Sequence, residues 1–188
     1  ELLVELLHGR GHPVVPSQGS VGACGDLAPL AHLALVLVGE GECVFEERRL
    51  PGGDGLRAAG LRPLVLEPKE GLALINGTDG MLGMLALALA DLEDLLRIAD
   101  ITTAMSVEAL LGTDRAFAAD LIAMRPHPGQ AASAANLRRL LAGSPIVASH
   151  RHDTIHLVQD AYSLRCAPQV AGSARDTMAH ARGVAERE

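Results

Sequence analysis

Between residues 72 and 99 the chain runs for about eight helical turns with hardly a break in its apolar character. Up to Ala90 the apolar side chains fall on nearly every side of the predicted helix, a pattern that is stable in water only when other helices surround it. Asp91, Glu93, Asp94 and Arg97 then mark a return toward solvent. Such a tract demands a bundle, and the remaining residues suit one. Phe45, Phe117 and Tyr162 are the only aromatics and Trp is absent, so a core must be built from Leu, Ala, Val, Ile and Met. That mixture favours helices over sheets. The predicted fold class is all-α, an elongated helical bundle with one short β-hairpin or loop excursion.

The other elements follow from periodicity and breakers. Leu2, Leu3, Leu6 and Leu7 repeat at helical spacing, and Gly9, Gly11 and Pro13 end that helix. Residues 14–26 are rich in Gly and Ser and form a loop. Asp26 is placed as N-cap of a helix over 27–38, with Pro29 in its first turn. Residues 43–45 are β-prone, Pro51-Gly52-Gly53 signals a turn, and 56–60 suits a short helix. Further helices are expected over 101–111, closed by Gly112, and over 118–124, 130–141 and 175–187. Residues 144–160 read as a long polar connection rich in His, the type of loop that carries function.

No linker divides the chain, so 1–188 is taken as a single domain, the central part of something longer that begins at Glu1 within an apolar periodic stretch. The 48% apolar and 21% charged composition excludes a disordered chain. A net charge of −7, without a basic stripe, argues against nucleic-acid partners. No uninterrupted apolar run reaches the ~18–20 residues of a membrane span. Three scattered cysteines, Cys24, Cys43 and Cys166, lack metal-type spacing and fit a reducing cytoplasmic setting.

The sharpest motif is Gly19-Ser20-Val21-Gly22-Ala23-Cys24-Gly25-Asp26 followed by the predicted helix. Gly22 and Gly25 let the backbone around Ala23-Cys24 adopt conformations closed to other residues. The helix start that follows places free N–H groups and a positive dipole end beside this segment. On spacing alone the same pattern also describes a Gly-rich helix entry with an inert, buried cysteine. Asn76, within an apolar tract, reads as a buried amide in need of partners. Gln159, Tyr162 and Arg165 recur every three residues, so one helical turn would present them together, and Arg165 could grip a carboxylate bidentately; a solvated helical face is the plainer alternative. His150, His152 and His156 with Asp153 have poor spacing for a metal site, and no metal is expected.

The segment around Ala23-Cys24-Gly25 resembles that of aromatic amino acid ammonia-lyases and 2,3-aminomutases, where an Ala-Ser-Gly tripeptide cyclises into a methylidene-imidazolone (MIO). Here Cys24 stands at the family's serine, so hydrogen sulfide would leave in place of the serine's water, and no separate nucleotide or metal cofactor would be needed. Gly71-Leu72-Ala73-Leu74-Ile75-Asn76-Gly77-Thr78, Arg125-Pro126-His127-Pro128-Gly129-Gln130 and the block from Val158 to Val170 resemble further family segments in the same order. Within the family the likeness is strongest to the histidine-specific lyases. The resemblance implies conversion of L-histidine to trans-urocanate in a cytoplasmic homotetramer. Ala23, Cys24, Gly25 and Tyr162 would be catalytic, while Asn76, Gln159 and Arg165 would bind substrate or the MIO. A tyrosine or phenylalanine lyase, an aminomutase, or a non-catalytic homologue with an unmodified Cys24 remain alternatives. The family's catalytic Tyr on an upstream loop, and its downstream Phe and Glu, have no counterpart in these residues, so this segment alone is expected to lack appreciable activity and to expose an apolar face.

Overall fold

The computed structural model describes residues 2–9, 11–22, 24–151 and 159–188. The chain divides into two compact units, Glu1–Met84 and Leu85–Glu188.

In the first unit, α1 (Leu2–His8), α2 (Leu27–Leu37) and α3 (Gly52–Ala58) pack on a three-stranded antiparallel sheet. The strands are β1 (Gly11–Pro13), β2 (Glu42–Phe45) and β3 (Arg48–Pro51), in that order, with Pro13 opposite Cys43 and Cys43 opposite Leu50. The hairpin turn falls at Glu46-Glu47, both with positive φ, and not at Pro51-Gly52-Gly53. Pro51 ends β3 and the two glycines begin α3, because there the chain passes too close to Glu40 for a side chain: a Cβ on Gly52 would lie 1.9 Å from the Glu40 carbonyl oxygen. Leu6, Val36, Leu37, Cys43 and Leu56 form the unit's core. Burial of Cys43 pushes its thiol pKa upward, so this cysteine is an inert hydrophobe.

The tract over 72–99 is not one helix. It opens with α4 (Glu70–Ile75), which packs against α2, and breaks at Asn76 before α5 (Asp79–Ala109). Asn76 and Gly77 are poor helix formers, and Asn76 leaves helical geometry at φ −101°, ψ 67°. Conversely, the boundary expected near residue 100 is absent: α5 runs through it for 31 residues. No Gly or Pro interrupts Ala99-Asp100-Ile101, and the Asp100 side chain has partners of its own.

Burial along α5 is confined to a stripe of Leu89, Leu96, Asp100, Ala104 and Val107, spaced to share one face. Met81, Met84, Leu87, Ile98 and Met105 are exposed, so the all-round burial expected of this tract is not supplied within the chain, and the expected open apolar face is present. Residues 70–109 are also long and apolar enough by composition alone to cross a bilayer, contrary to the expectation of no such run; the core helix of a bundle meets the same test.

In the second unit, α6 (Ala119–Ala123), α7 (Pro128–Leu140), α8 (Pro145–Ser149), α9 (Tyr162–Arg165) and α10 (Ala167–Ala185) gather around Val107, Phe117, Ala134, Leu137 and Val147. Two helices start earlier than their apolar periodicity indicates. Each has a proline in its first turn, Pro128 and Pro168, where a missing N–H costs nothing. α7 and α10 cross at Gly129 and Gly172. A Cβ on Gly129 would lie 2.2 Å from the Gly172 carbonyl oxygen, and one on Gly172 would lie 2.4 Å from the Gln130 nitrogen. Glycine is required at both positions by this approach.

Behind the crossing lies Asp100, 2% exposed. Its carboxylate accepts from Ser133 Oγ at 2.6 Å, Asn136 Nδ2 at 2.6 Å and Arg175 Nη2 at 2.7 Å, and Arg175 also donates to the Leu96 carbonyl at 2.9 Å. α5, α7 and α10 are thereby joined through one charge. Arg175 is itself well buried, so removing its partner leaves an uncompensated cation. Asp100→Ala is expected to destabilise the folded chain by about 3–5 kcal/mol in urea denaturation, whereas a loss below about 1 kcal/mol would mean the pair behaves like an exposed one.

Candidate active site

The predicted site residues lie in both units. In the first, Gly22 and Gly25 adopt left-handed backbone at φ +90° and +79°. Gly25 is hemmed in as well: an added Cβ would sit 2.8 Å from Ser20 Oγ. The left-handed backbone strains any side chain at the third position of the tripeptide, whereas the Ser20 hydroxyl can rotate aside. Cys24 is half-buried with a free thiol, and Ala23 lies outside the described residues.

Asp26 does not act as the side-chain N-cap that its position before α2 indicates. It has helical φ and ψ and makes no local side-chain bond. Its carboxylate, in a residue only 4% exposed, instead accepts from the Met81 backbone N–H at 2.9 Å, 55 residues away. That N–H is one of the unpaired donors in the first turn of α5, where the helix dipole favours an anion. A Cβ on Gly80 would come within 3.2 Å of the same carboxylate. The loop bearing Cys24 and Gly25 is therefore fastened to the start of α5.

Asn76 lies just before that helix, as the residue closing α4, with its N–H bonded to the Leu72 carbonyl at 3.0 Å. Its side chain is exposed, which corrects the expectation of a buried amide. The cause is the helix break, which turns the residue out of the apolar tract.

In the second unit, a cleft of about 410 Å³ is lined by Arg115, His150, Arg151, Gln159, Asp160 and Arg165, together with apolar residues that include Leu111 and Val147. Gln159 and Arg165 share it, but not as members of one helical face. α9 spans only Tyr162–Arg165, and Gln159 sits in a bend before it. The Arg165 guanidinium stacks 4.0 Å from the centroid of the Tyr162 ring, itself 73% exposed. Arg165 Nε is buried without a hydrogen-bond partner among the described residues. A buried donor so placed has unused capacity for an anion.

The His-Pro-Gly-Gln element begins α7, with His127 as an exposed, extended N-cap residue and the Gly129 N–H donating to Asp176 at 2.8 Å. Of the histidine cluster, His150 places Nε2 2.9 Å from the Gly112 carbonyl oxygen, while His152, Asp153 and His156 lie outside the described residues. Among the described residues no group of three or more His, Cys, Asp or Glu is arranged to hold a metal. The long-range roles of Asp26 and Asp160 were not anticipated. The available signal was an acidic residue directly beside each proposed site residue.

A family model described as aromatic amino acid lyase matches residues 1–188. The histidine ammonia-lyase of Streptomyces avermitilis is 57% identical over 189 residues, covering all of this chain and 37% of its own length. Among solved structures, the tyrosine aminomutase from Streptomyces globisporus superposes with a TM-score of 0.82 at 38% identity, over 96% of this chain and 37% of that one. Histidine ammonia-lyase from Trypanosoma cruzi superposes at 0.73 with 38% identity, over 93% of this chain and 31% of that one. The chain thus spans between 31% and 37% of the length of these relatives.

Deleting the Asp26 carboxylate takes from the Met81 N–H, at the head of α5, its side-chain partner. Asp26→Ala should cost about 1.5–3 kcal/mol in chemical denaturation and speed amide exchange at Met81, while Asp26→Asn, which keeps an acceptor, should cost less. Unchanged Met81 exchange in the alanine variant would show that the tether is dispensable.

Proposed function

Because this chain belongs to the aromatic amino acid lyase family, we propose that the protein eliminates ammonia from L-histidine to give trans-urocanate. Support for histidine comes from the 57% identity to the histidine ammonia-lyase of Streptomyces avermitilis; the tyrosine aminomutase and the histidine ammonia-lyase of Trypanosoma cruzi are both 38% identical. The observation that carries the amino acid reading is Arg165, with its buried, unpartnered Nε, on a cleft shared with Gln159. A guanidinium held in this way can take a substrate carboxylate through paired, charge-assisted hydrogen bonds.

Residues 23–25 fit the formation of an MIO. Closure joins the Gly25 nitrogen to the Ala23 carbonyl carbon with loss of water, and loss of the Cys24 thiol as hydrogen sulfide completes the group. A third residue without a side chain is needed, and Gly25 holds a left-handed backbone that disfavours one. The Cys24 thiol is free to leave, being in no disulfide. Once formed, the group supplies an electrophile that makes the substrate nitrogen a competent leaving group. Asn76 is the residue that would hold its oxygen.

The chain's other residues bind and orient. Arg165 fixes the carboxylate, and the Tyr162 ring beneath it restricts the guanidinium to one plane. Gln159 offers an amide toward the same cleft. Holding the carboxylate in line presents the β-proton to a base, which is where orientation lowers the barrier. The exposed apolar side of α5 suits burial against other copies in a homotetramer, and a cytoplasmic setting agrees with three free cysteines.

Incubated separately with L-histidine, L-tyrosine and L-phenylalanine, the full-length protein should release urocanate, followed by its absorbance, and give negligible cinnamate-type product or β-amino acid. Arg165→Met should raise KM for L-histidine about ten- to a hundredfold, the loss of a charge-assisted bond. Comparable turnover of tyrosine, or an unchanged KM in the variant, would contradict the assignment.

A further inference from the structure

The end of α5 is closed by a rigid turn. Leu111 is left-handed at φ +52°, and the Gly112 N–H returns to the Val107 carbonyl at 2.7 Å, a six-to-one closure of the last helical turn. Two distant points of the chain converge on this turn. His150 Nε2 lies 2.9 Å from the Gly112 carbonyl oxygen, and Asp160 Oδ2 accepts the Thr113 N–H at 2.7 Å. The approach is close: a Cβ on Gly112 would meet the same Asp160 oxygen at 3.3 Å.

Asp160 lines the cleft, as does its neighbour Gln159. Gln159 precedes Asp160, and Ala161 follows as the residue whose carbonyl accepts the N–H groups of Leu164 and Arg165, setting the only turn of α9. A helix this short has little stability of its own, so its placement depends on what holds its two ends: Leu164 in the core and α10 at one, the residues before Tyr162 at the other. We propose that Asp160 is a positioning residue for the elimination: by gripping the Thr113 N–H it fixes Gln159 and the start of α9, and through them the orientation of Arg165. Its Oδ2 is committed to the backbone, and its positioning role is exerted through its neighbours. The inference rests on the reading of Gln159 and Arg165 as substrate-binding groups.

The test uses the full-length protein with Asp160→Ala and Asp160→Asn, measuring steady-state kinetics with L-histidine and site-resolved amide exchange. Asp160→Ala should raise KM about tenfold while kcat changes less than about threefold, and Asp160→Asn, which keeps an oxygen to accept the Thr113 N–H, should restore KM to within about twofold of the parent. Exchange should accelerate in the alanine variant at Thr113 and over 159–165, and nowhere else. An unchanged KM, an asparagine variant as impaired as the alanine one, or protection retained at Thr113 would overturn the proposal. If Asp160→Ala does not fold, Asp160→Glu, which displaces the carboxylate by one methylene, must show the same rise in KM, and its absence would overturn it equally. Should the parent protein release no urocanate, the reaction assignment fails, and the exchange measurements alone then decide the inference.

Discussion

A carboxylate leaves water only if every oxygen finds a partner, and Asp100 meets that condition with three side chains from two other helices. The arrangement is a constraint before it is a source of stability. A buried ion pair contributes little net energy against well-packed hydrophobes, but it tolerates few alternative geometries. α5, α7 and α10 can be joined in this way only when Ser133, Asn136 and Arg175 all reach the same point. The Gly129–Gly172 approach depends on that registry, since contacts this close admit no sliding. α10 is preceded directly by α9, so the placement of Arg165 inherits the same constraint.

Aspartates recur as long-range fasteners across the chain. Asp26 takes the Met81 N–H, Asp160 the Thr113 N–H and Asp176 the Gly129 N–H. Two of the three donors belong to the first turn of a helix, where N–H groups lack intrahelical partners, and the third lies in the turn just after one. Each bond therefore does two things: it satisfies a backbone donor that would otherwise be costly, and it fixes a segment of irregular chain. Asp26 borders the tripeptide and Asp160 borders Gln159. In a core nearly free of aromatic rings, such bonds set positions that bulky side chains set elsewhere.

The helical class, the loop over 14–26, the start of α2 and the short β excursion were legible in the sequence because each rests on local chemistry: periodicity, glycine content and a first-turn proline. The break at Asn76 and the continuity of α5 through Asp100 were not. An apolar tract gives no phase by which to locate an interruption, and a buried aspartate looks like a solvent-facing one until its partners are known. The separation of Gln159 from α9 was hidden for a related reason, since spacing by three describes a helix only if the backbone is helical throughout. At the site, the requirement for glycine at position 25 could be read from the motif. Its crowding by Ser20, and the stacking of Arg165 on Tyr162, could not.

Catalytic competence in the proposed reaction requires conversion of Ala23-Cys24-Gly25 into an electrophile. The free thiol of Cys24, the left-handed Gly25 and the anchored Asp26 are compatible with the proposed cyclisation. The same loop could equally serve a non-catalytic homologue as an ordinary helix entry. Intact-mass measurement of the purified full-length protein, with peptide mapping across residues 23–25, distinguishes the two. The expected mass lies below that of the encoded chain by one water and one hydrogen sulfide, both lost from that peptide. An unaltered mass with Cys24 open to thiol labelling in the folded protein would contradict it.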